Sequence, residues 1–362
     1  MTDFGRIVFV GNCQTGAMWR LYQRTLPEDR AGIPRFVESY NAANEHSRQI
    51  IAGADILVWQ MTEFAQAIGD IETRASCVFV PMVMCPFLWP YSGTPHPRNE
   101  SFDILPGGPY PGEFGDNFLN QYVGTTASPA EVARIYADRD VAKVKNVARI
   151  AEITLEQQRR RDHACGRYDV AGLITRLLPK EPLFRSRGHL NPPIMRHLAE
   201  ILYSQIGADQ AFMDYLATTR YDDLVPFSEV PIHPSIAREF GMSYITDRRR
   251  YEFLTEGAYT FIEWAERYVR YDWNRELNEA MHLARLGDME KALPLWEKSM
   301  ETSLRSVSGR VNLAEILMRN GLPLRALRWI REGLALDPTN PTYLRRSIEI
   351  QAEAERRLAN DL

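Results

Sequence analysis

Short apolar runs alternate with amphipathic stretches over the first eighty residues. Ile7–Val10, Arg35–Glu38, Asp55–Trp59 and Cys77–Val83 have the composition and length of strands, and Thr15–Thr25, Glu45–Ala52 and Phe64–Arg74 between them carry apolar residues at helical spacing. Strict alternation of strand and helix predicts an α/β domain built on a parallel sheet with helices on both faces. In such sheets ligands bind beyond the C-terminal strand ends. Gly11–Gln14, Gln60–Met61 and Met84–Tyr91 are therefore expected at one edge.

The pattern then changes. Residues 86–115 hold seven prolines and five glycines, too many for a regular element, and read either as an ordered loop over a site or as a passive excursion. Residues 128–161 predict one or two long helices, and Asp169–Leu178 another that stops at Pro179. A strand-like run, Leu183–Ser186, precedes Gly188-His189 and a helix starting near Pro192.

The last third is helical in pattern, and an offset of 34 residues aligns Ala280 with Ala314, Leu283 with Leu317, Gly287 with Gly321 and Ala292 with Ala326. That period and those small residues resemble tetratricopeptide helix pairs. Two repeats and a terminal helix are too few for a free-standing array, so this region is expected to pack on the rest of the chain, on a second copy or on a protein partner. The expected division is 1–241, a helical junction at 242–272, and 273–362.

Composition narrows the class. With 25% charged and 45% apolar residues and a formal net charge of −4, the 362-residue chain reads as globular and lacks the clustered basic charge of a nucleic-acid-binding protein. The longest apolar stretch, Cys77–Trp89, is interrupted by Pro81 and Pro86 and is too short for a membrane span. The first residues lack the basic start and long apolar core of a secretory signal. Four cysteines without metal-ligand spacing complete the expectation of a reduced, cytoplasmic protein with no metal.

One corner carries chemistry. In "RIVFVGNCQTGAMWRLY" (6–22) the strand ends at Gly11 and the helix begins at Cys13. A helix N-terminus offers unpaired N–H groups and partial positive charge, which favour an anion, and a thiolate is one. Asn12 and Gln14 supply amide donors of the kind that stabilise an oxyanion. The competing reading is a small packed thiol. A nucleophile also needs a base. Of the seven histidines, His189 follows a strand-like run and a glycine and is expected at the same edge, whereas His163, His197 and His282 lie in polar helical stretches and read as surface residues. His233 reads as a loop-orienting residue, and Cys77, Cys85 and Cys165 as structural.

"VFVGNCQTGAMWRLY", "ADILVWQ" (54–60), "FVPMVMCPFLWPYSG" (79–93), "LFRSRGHLNPPIMRHLAEIL" (183–202) and "VPFSEVPIHPSIAREFG" (225–241) resemble, in order and approximate spacing, the WcbI family of capsular-polysaccharide biosynthesis proteins. Gly-Asn-Cys-Gln is the most specific of these blocks. The resemblance covers residues 5–241 and implies a coenzyme A-binding acetyltransferase with partial likeness to the SGNH-hydrolase fold. It places a nucleophile at Cys13, polar contacts at Asn12 and Gln14, and further site positions at Gln60 and His189; Gly11 beside them is a further oxyanion or substrate-binding candidate. Family members commonly read close to Asn-His-Pro at the late histidine, where this chain has Gly188-His189-Leu190-Asn191-Pro192. Coenzyme A carries phosphates, for which Arg185, Arg187 and Arg196 are candidates, with Asn191 beside them. Solvated surface charge is the alternative for the arginines, and a capped sheet edge for Gln60. Tyr91 is a candidate substrate contact. The resemblance does not extend to 242–362, which reads as an addition.

These readings imply transfer of an acetyl group from acetyl-coenzyme A to a sugar hydroxyl by a Cys–His site. Two rivals stand beside it: an SGNH-like acyl esterase or deacetylase, and a non-catalytic assembly protein that binds a ligand and docks through its helical tail.

Overall fold

The computed structural model describes residues 4–26, 32–61, 73–102, 105–221, 224, 228–303, 305–339 and 341–360. In chain order the elements open with β1 (Ile7–Gly11), α1 (Cys13–Gln23), β2 (Arg35–Glu38), α2 (Glu45–Ala52), β3 (Ile56–Met61) and β4 (Ser76–Pro81). Helices α3 (Pro129–Asp138), α4 (Val141–Val144), α5 (Val147–Ala164), α6 (Val170–Leu177), α7 (Pro192–Gln205), α8 (Gln210–Thr218) and α9 (Pro234–Glu239) follow. A hairpin of β5 (Tyr251–Phe253) and β6 (Gly257–Tyr259) leads into α10 (Phe261–Arg270). The chain then runs through α11 (Arg275–Arg285), α12 (Met289–Thr302), α13 (Val307–Arg319), α14 (Pro323–Leu336) and α15 (Pro341–Asn360). Of the helix expected at 64–74, residues 64–72 fall outside the described residues.

The chain forms two compact units. The first comprises 1–90, 140–226 and 232–245, and is built on a four-stranded sheet of order β2-β1-β3-β4 with every pairing parallel. Alternation along β1 sends Val8 and Val10 to one face, where they pack with Val37, Leu57 and Ile51 of α2. Ile7 and Phe9, both fully buried, point to the other. Helix α7 is tied to α1 by the Tyr203 hydroxyl, which donates to the Met18 carbonyl at 2.6 Å, and by the rings of Phe4, Tyr22, Tyr203 and Phe212.

Where one or two long helices are expected over 128–161, three form, α3, α4 and α5. Asp140 caps α4 by accepting from the Lys143 N–H, and Asn146 adopts a left-handed backbone (φ 48°), a conformation asparagine tolerates better than most residues. The expected strand at 183–186 is reduced to one bridge, Phe184 with Leu190, because the chain turns back on itself after Ser186.

The second unit comprises 91–139, 227–231 and 246–362. Residues 91–139 were expected with the sheet; their aromatic side chains instead pack with those of 253–271. Tyr110 stacks on Phe253, Tyr136 meets Phe261, and His96 lies against Tyr268 and Tyr271. The β5–β6 hairpin, in a segment expected to be helical, pairs Tyr251 with Tyr259 and Phe253 with Gly257. The 34-residue offset is kept in three dimensions: α12 and α14 start and end at equivalent positions, and Ala280, Ala314, Ala292 and Ala326 are all fully buried. Gly287 (φ 84°) and Gly321 (φ 72°) end the preceding helices in the left-handed region that glycine enters without strain. No described helix is long and apolar enough to cross a membrane, and no group of three potential metal ligands occurs among the described residues.

Two buried titratable groups in this unit give opposite pH dependences. The Glu256 side chain is 1% exposed; its Oε2 accepts from Arg267 at 2.7 Å and from the Asn274 N–H at 3.1 Å, and burial pushes its carboxyl up to about 7. Between the ordinary 4.5 and about 7 the folded carboxyl holds a proton that the unfolded one loses, so its contribution to stability falls as pH rises. Burial lowers His96 to about 4, so its contribution is lost as pH falls from 6.5 to about 4. Glu256→Gln is therefore expected to make the thermal unfolding midpoint rise more steeply from about pH 4.5 to 6.5 than in the wild type. Equal slopes in the two proteins would contradict this.

Candidate functional site

The residues singled out around Cys13 lie in the first unit, and a chain of carboxamides joins them. Asn12 caps α1: its Oδ1 accepts from the Gln14 N–H at 2.9 Å. The Asn12 N–H donates to Gln60 Oε1 at 2.8 Å, and Gln60 Nε2 donates to Gln14 Oε1 at 3.0 Å. Gln14 then reaches two further segments. Its Oε1 also accepts from the Val83 N–H at 3.1 Å, and its Nε2 donates to the carbonyls of Val83 at 2.7 Å and Gly188 at 2.8 Å. Gln14 and Gln60 are 4% and 1% exposed, so each bond replaces water that the buried amides would otherwise lack. Gly11 leaves room for this: a Cβ there would lie 2.4 Å from Thr15 Oγ1 and 2.7 Å from Gln60 Oε1.

This arrangement changes the expected role of Gln14. Both hydrogens of its amide and its backbone N–H are committed inside the fold, so it acts as a strut rather than an oxyanion donor. Donors at the corner include Asn12 Nδ2 and the Cys13 N–H, which stands in the first turn where no intrahelical acceptor exists. Cys13 is exposed and not in a disulfide. Cys85 is buried and its thiol is pushed up by burial; Cys165 is likewise buried and raised to about 12. Cys77, expected to be structural, is exposed on β4.

The segment carrying His189 is a tight loop. The Arg185 N–H donates to the His189 carbonyl at 2.8 Å and the Asn191 N–H to the Leu183 carbonyl at 2.9 Å. Two bonds fasten it to the sheet side: Gln14 Nε2 to Gly188, and the Cys85 N–H to the Arg187 carbonyl at 2.8 Å. The neighbours of Cys13 and His189 in the chain are thus hydrogen-bonded to one another. His189 is half-buried, with Nδ1 2.7 Å from the oxygen of the fully buried Ser186. Ser186 was missed in the sequence; a serine three residues before a histidine, across a glycine, is the spacing that signals it.

The remaining candidates separate. Arg187 is half-buried, and its Nε has no hydrogen-bond partner among the described residues. Arg185 Nε donates to Asn191 Oδ1 at 3.1 Å, so this pair braces the loop. Arg196 is exposed and lies over the Tyr221 ring, 5.5 Å from its centroid. Tyr91 belongs to the second unit, where its ring packs with Phe118 and Tyr136. His233 caps α9, accepting the Ser235 N–H on Nδ1. His197, expected at the surface, is half-buried, and burial lowers its pKa.

A four-stranded parallel sheet whose first helix opens on an exposed cysteine, with the loop that carries His189 bonded through Gly188 to that helix's first turn, defines an α/β protein. The chain belongs to the WcbI family: the family model described as polysaccharide biosynthesis enzyme WcbI matches residues 6–211. No curated protein matches the chain. A solved structure of WcbI, described as a novel polysaccharide biosynthesis enzyme in its native form without a disulfide bond between coenzyme A and a cysteine, has the same fold. Its TM-score is 0.51 at 11% identity, over 87% of this chain and 99% of that one. An extent of 87% cannot be contained in residues 1–241, which are two thirds of the chain. The helical C-terminal region is therefore shared in part, which corrects its reading as an addition.

Truncating the strut tests the geometry. Gln14→Ala leaves the Val83 and Gly188 carbonyls and the Val83 N–H without their partner, and is expected to cost about 2–4 kcal/mol by urea unfolding. Arg196→Ala, at an exposed position, is expected to cost under about 1 kcal/mol. Similar costs for the two would contradict the assigned roles.

Proposed function

We propose that this chain is a coenzyme A-dependent acyltransferase that moves an acetyl group to a sugar hydroxyl through Cys13 and His189. The observation that carries the reading is the bond from Gln14 to Gly188, which holds the loop bearing His189 against the helix turn that presents an exposed thiol. Membership of a polysaccharide biosynthesis family supports a saccharide acceptor. Coenzyme A and a cysteine are named together for the structurally similar WcbI, and that chemistry fits an exposed thiol here. The half-buried Arg187, two residues before His189, supplies a guanidinium of the kind that binds a phosphate.

In this mechanism His189 takes the proton of the Cys13 thiol as the sulfur attacks the acetyl thioester carbon. The Cys13 N–H and Asn12 Nδ2 donate to the oxyanion. The carbon–sulfur bond to the coenzyme breaks, the departing thiolate takes the proton from His189, and the acetyl group stays on Cys13. His189 then accepts the proton of the sugar hydroxyl, whose oxygen attacks the acetyl carbon and expels the Cys13 thiolate. That thiolate recovers the proton from His189, which returns the site to its starting state.

Incubation with acetyl-coenzyme A followed by mass spectrometry of the denatured protein is expected to show one acetyl group, located on the peptide containing Cys13. Cys13→Ala should remove that adduct while native spectra still show bound coenzyme A. An acetyl group elsewhere, or transfer unchanged in Cys13→Ala, would contradict the role of Cys13. Release of free acetate from acetylated sugars without any coenzyme would point to the esterase instead.

A further inference from the structure

The proposed reaction requires His189 to present a basic ring nitrogen to the thiol, and an imidazole achieves this only if its other nitrogen carries the hydrogen. The structure contains a group suited to decide which nitrogen that is. Ser186 Oγ lies 2.7 Å from His189 Nδ1, and Ser186 is fully buried. The intervening chain is short and fixed at both ends: the Arg185 N–H bonds to the His189 carbonyl, and the Arg187 and Gly188 carbonyls accept from the Cys85 N–H and Gln14 Nε2. The backbone that carries Ser186 and His189 is thus held at several points.

We infer that Ser186 is the positioning residue of this site: its oxygen accepts the Nδ1–H of His189, which fixes the ring's orientation and leaves Nε2 as the nitrogen that exchanges protons with Cys13. This rests on the acyl-transfer reading for the use made of Nε2, but not for the state of the ring. A buried hydroxyl is neutral and can both accept and donate, so it holds the imidazole without a full charge beside it. Accepting from Nδ1–H favours the protonated ring, because the hydrogen bond strengthens when the imidazole is charged. The loop thus works as a unit in which Gln14 sets its position and Ser186 sets the hydrogen on its histidine.

The test is nitrogen NMR of the full chain labelled with 15N-histidine, with the His189 signals identified by their loss in His189→Gln. Above the titration of the ring, wild-type His189 is expected to show a protonated Nδ1 and an unprotonated Nε2. In Ser186→Ala the hydrogen should redistribute to Nε2. The rate of Cys13 acetylation by acetyl-coenzyme A should fall about tenfold, as expected for one lost hydrogen bond, with the midpoint of its pH profile displaced to lower pH. A wild-type ring with its hydrogen on Nε2 would overturn the inference, as would a Ser186→Ala protein with the wild-type hydrogen position and pH profile. If Ser186→Ala does not fold, the wild-type spectrum still decides. A ring in the expected state in a protein that never acetylates Cys13 would sink the acyltransferase reading and leave this inference standing.

Discussion

The Gln14 carboxamide is the constraint on which the site depends. One buried side chain bonds to Gln60 from β3, to both backbone groups of Val83 just beyond β4, and to Gly188 in the loop of His189. These segments are far apart in sequence, and no regular secondary structure links the loop at 188 to the sheet. A planar amide with two donor hydrogens and an acceptor oxygen can satisfy all of them at once, which an apolar residue of the same size could not. Burial makes the arrangement rigid, since an amide taken out of water is costly unless every hydrogen bond is made.

From this follows a division of labour at the corner. Side chains that look like substrate contacts because of their chemistry, Gln14 and Gln60 above all, are spent on architecture. At the margin of that architecture the Cys13 thiol is exposed, and His189 and Arg187 are half-buried. The same logic separates the arginines of one loop. Arg185 is held by Asn191, whereas Arg187 two residues later has a buried Nε with no hydrogen-bond partner among the described residues.

Much of the fold was legible in the chain. The strands at 7–11, 35–38, 56–61 and 76–81 follow the apolar runs, and the 34-residue period locates α12 and α14. The corner at Cys13 was legible because a strand end, a glycine and a capping asparagine are all local signals. What the sequence hid is what long-range contacts decide. The run at 183–186 has strand composition, but bonds across the loop to His189 and Asn191 prevent it from extending. Residues 91–139 group with the C-terminal half because His96, Tyr110 and Tyr136 find ring partners there, a choice that aromatic composition alone does not reveal. The role of Gln14 depends on which groups it meets across the fold, and spacing along the chain does not encode that.

The most direct test of the central claim is the position of coenzyme A in crystals of Cys13→Ala. The thiol end of the coenzyme is expected at the first turn of α1 beside residue 13, facing the imidazole of His189, with a phosphate on Arg187. A coenzyme bound away from that turn, with neither residue 13 nor His189 near its sulfur, would contradict it.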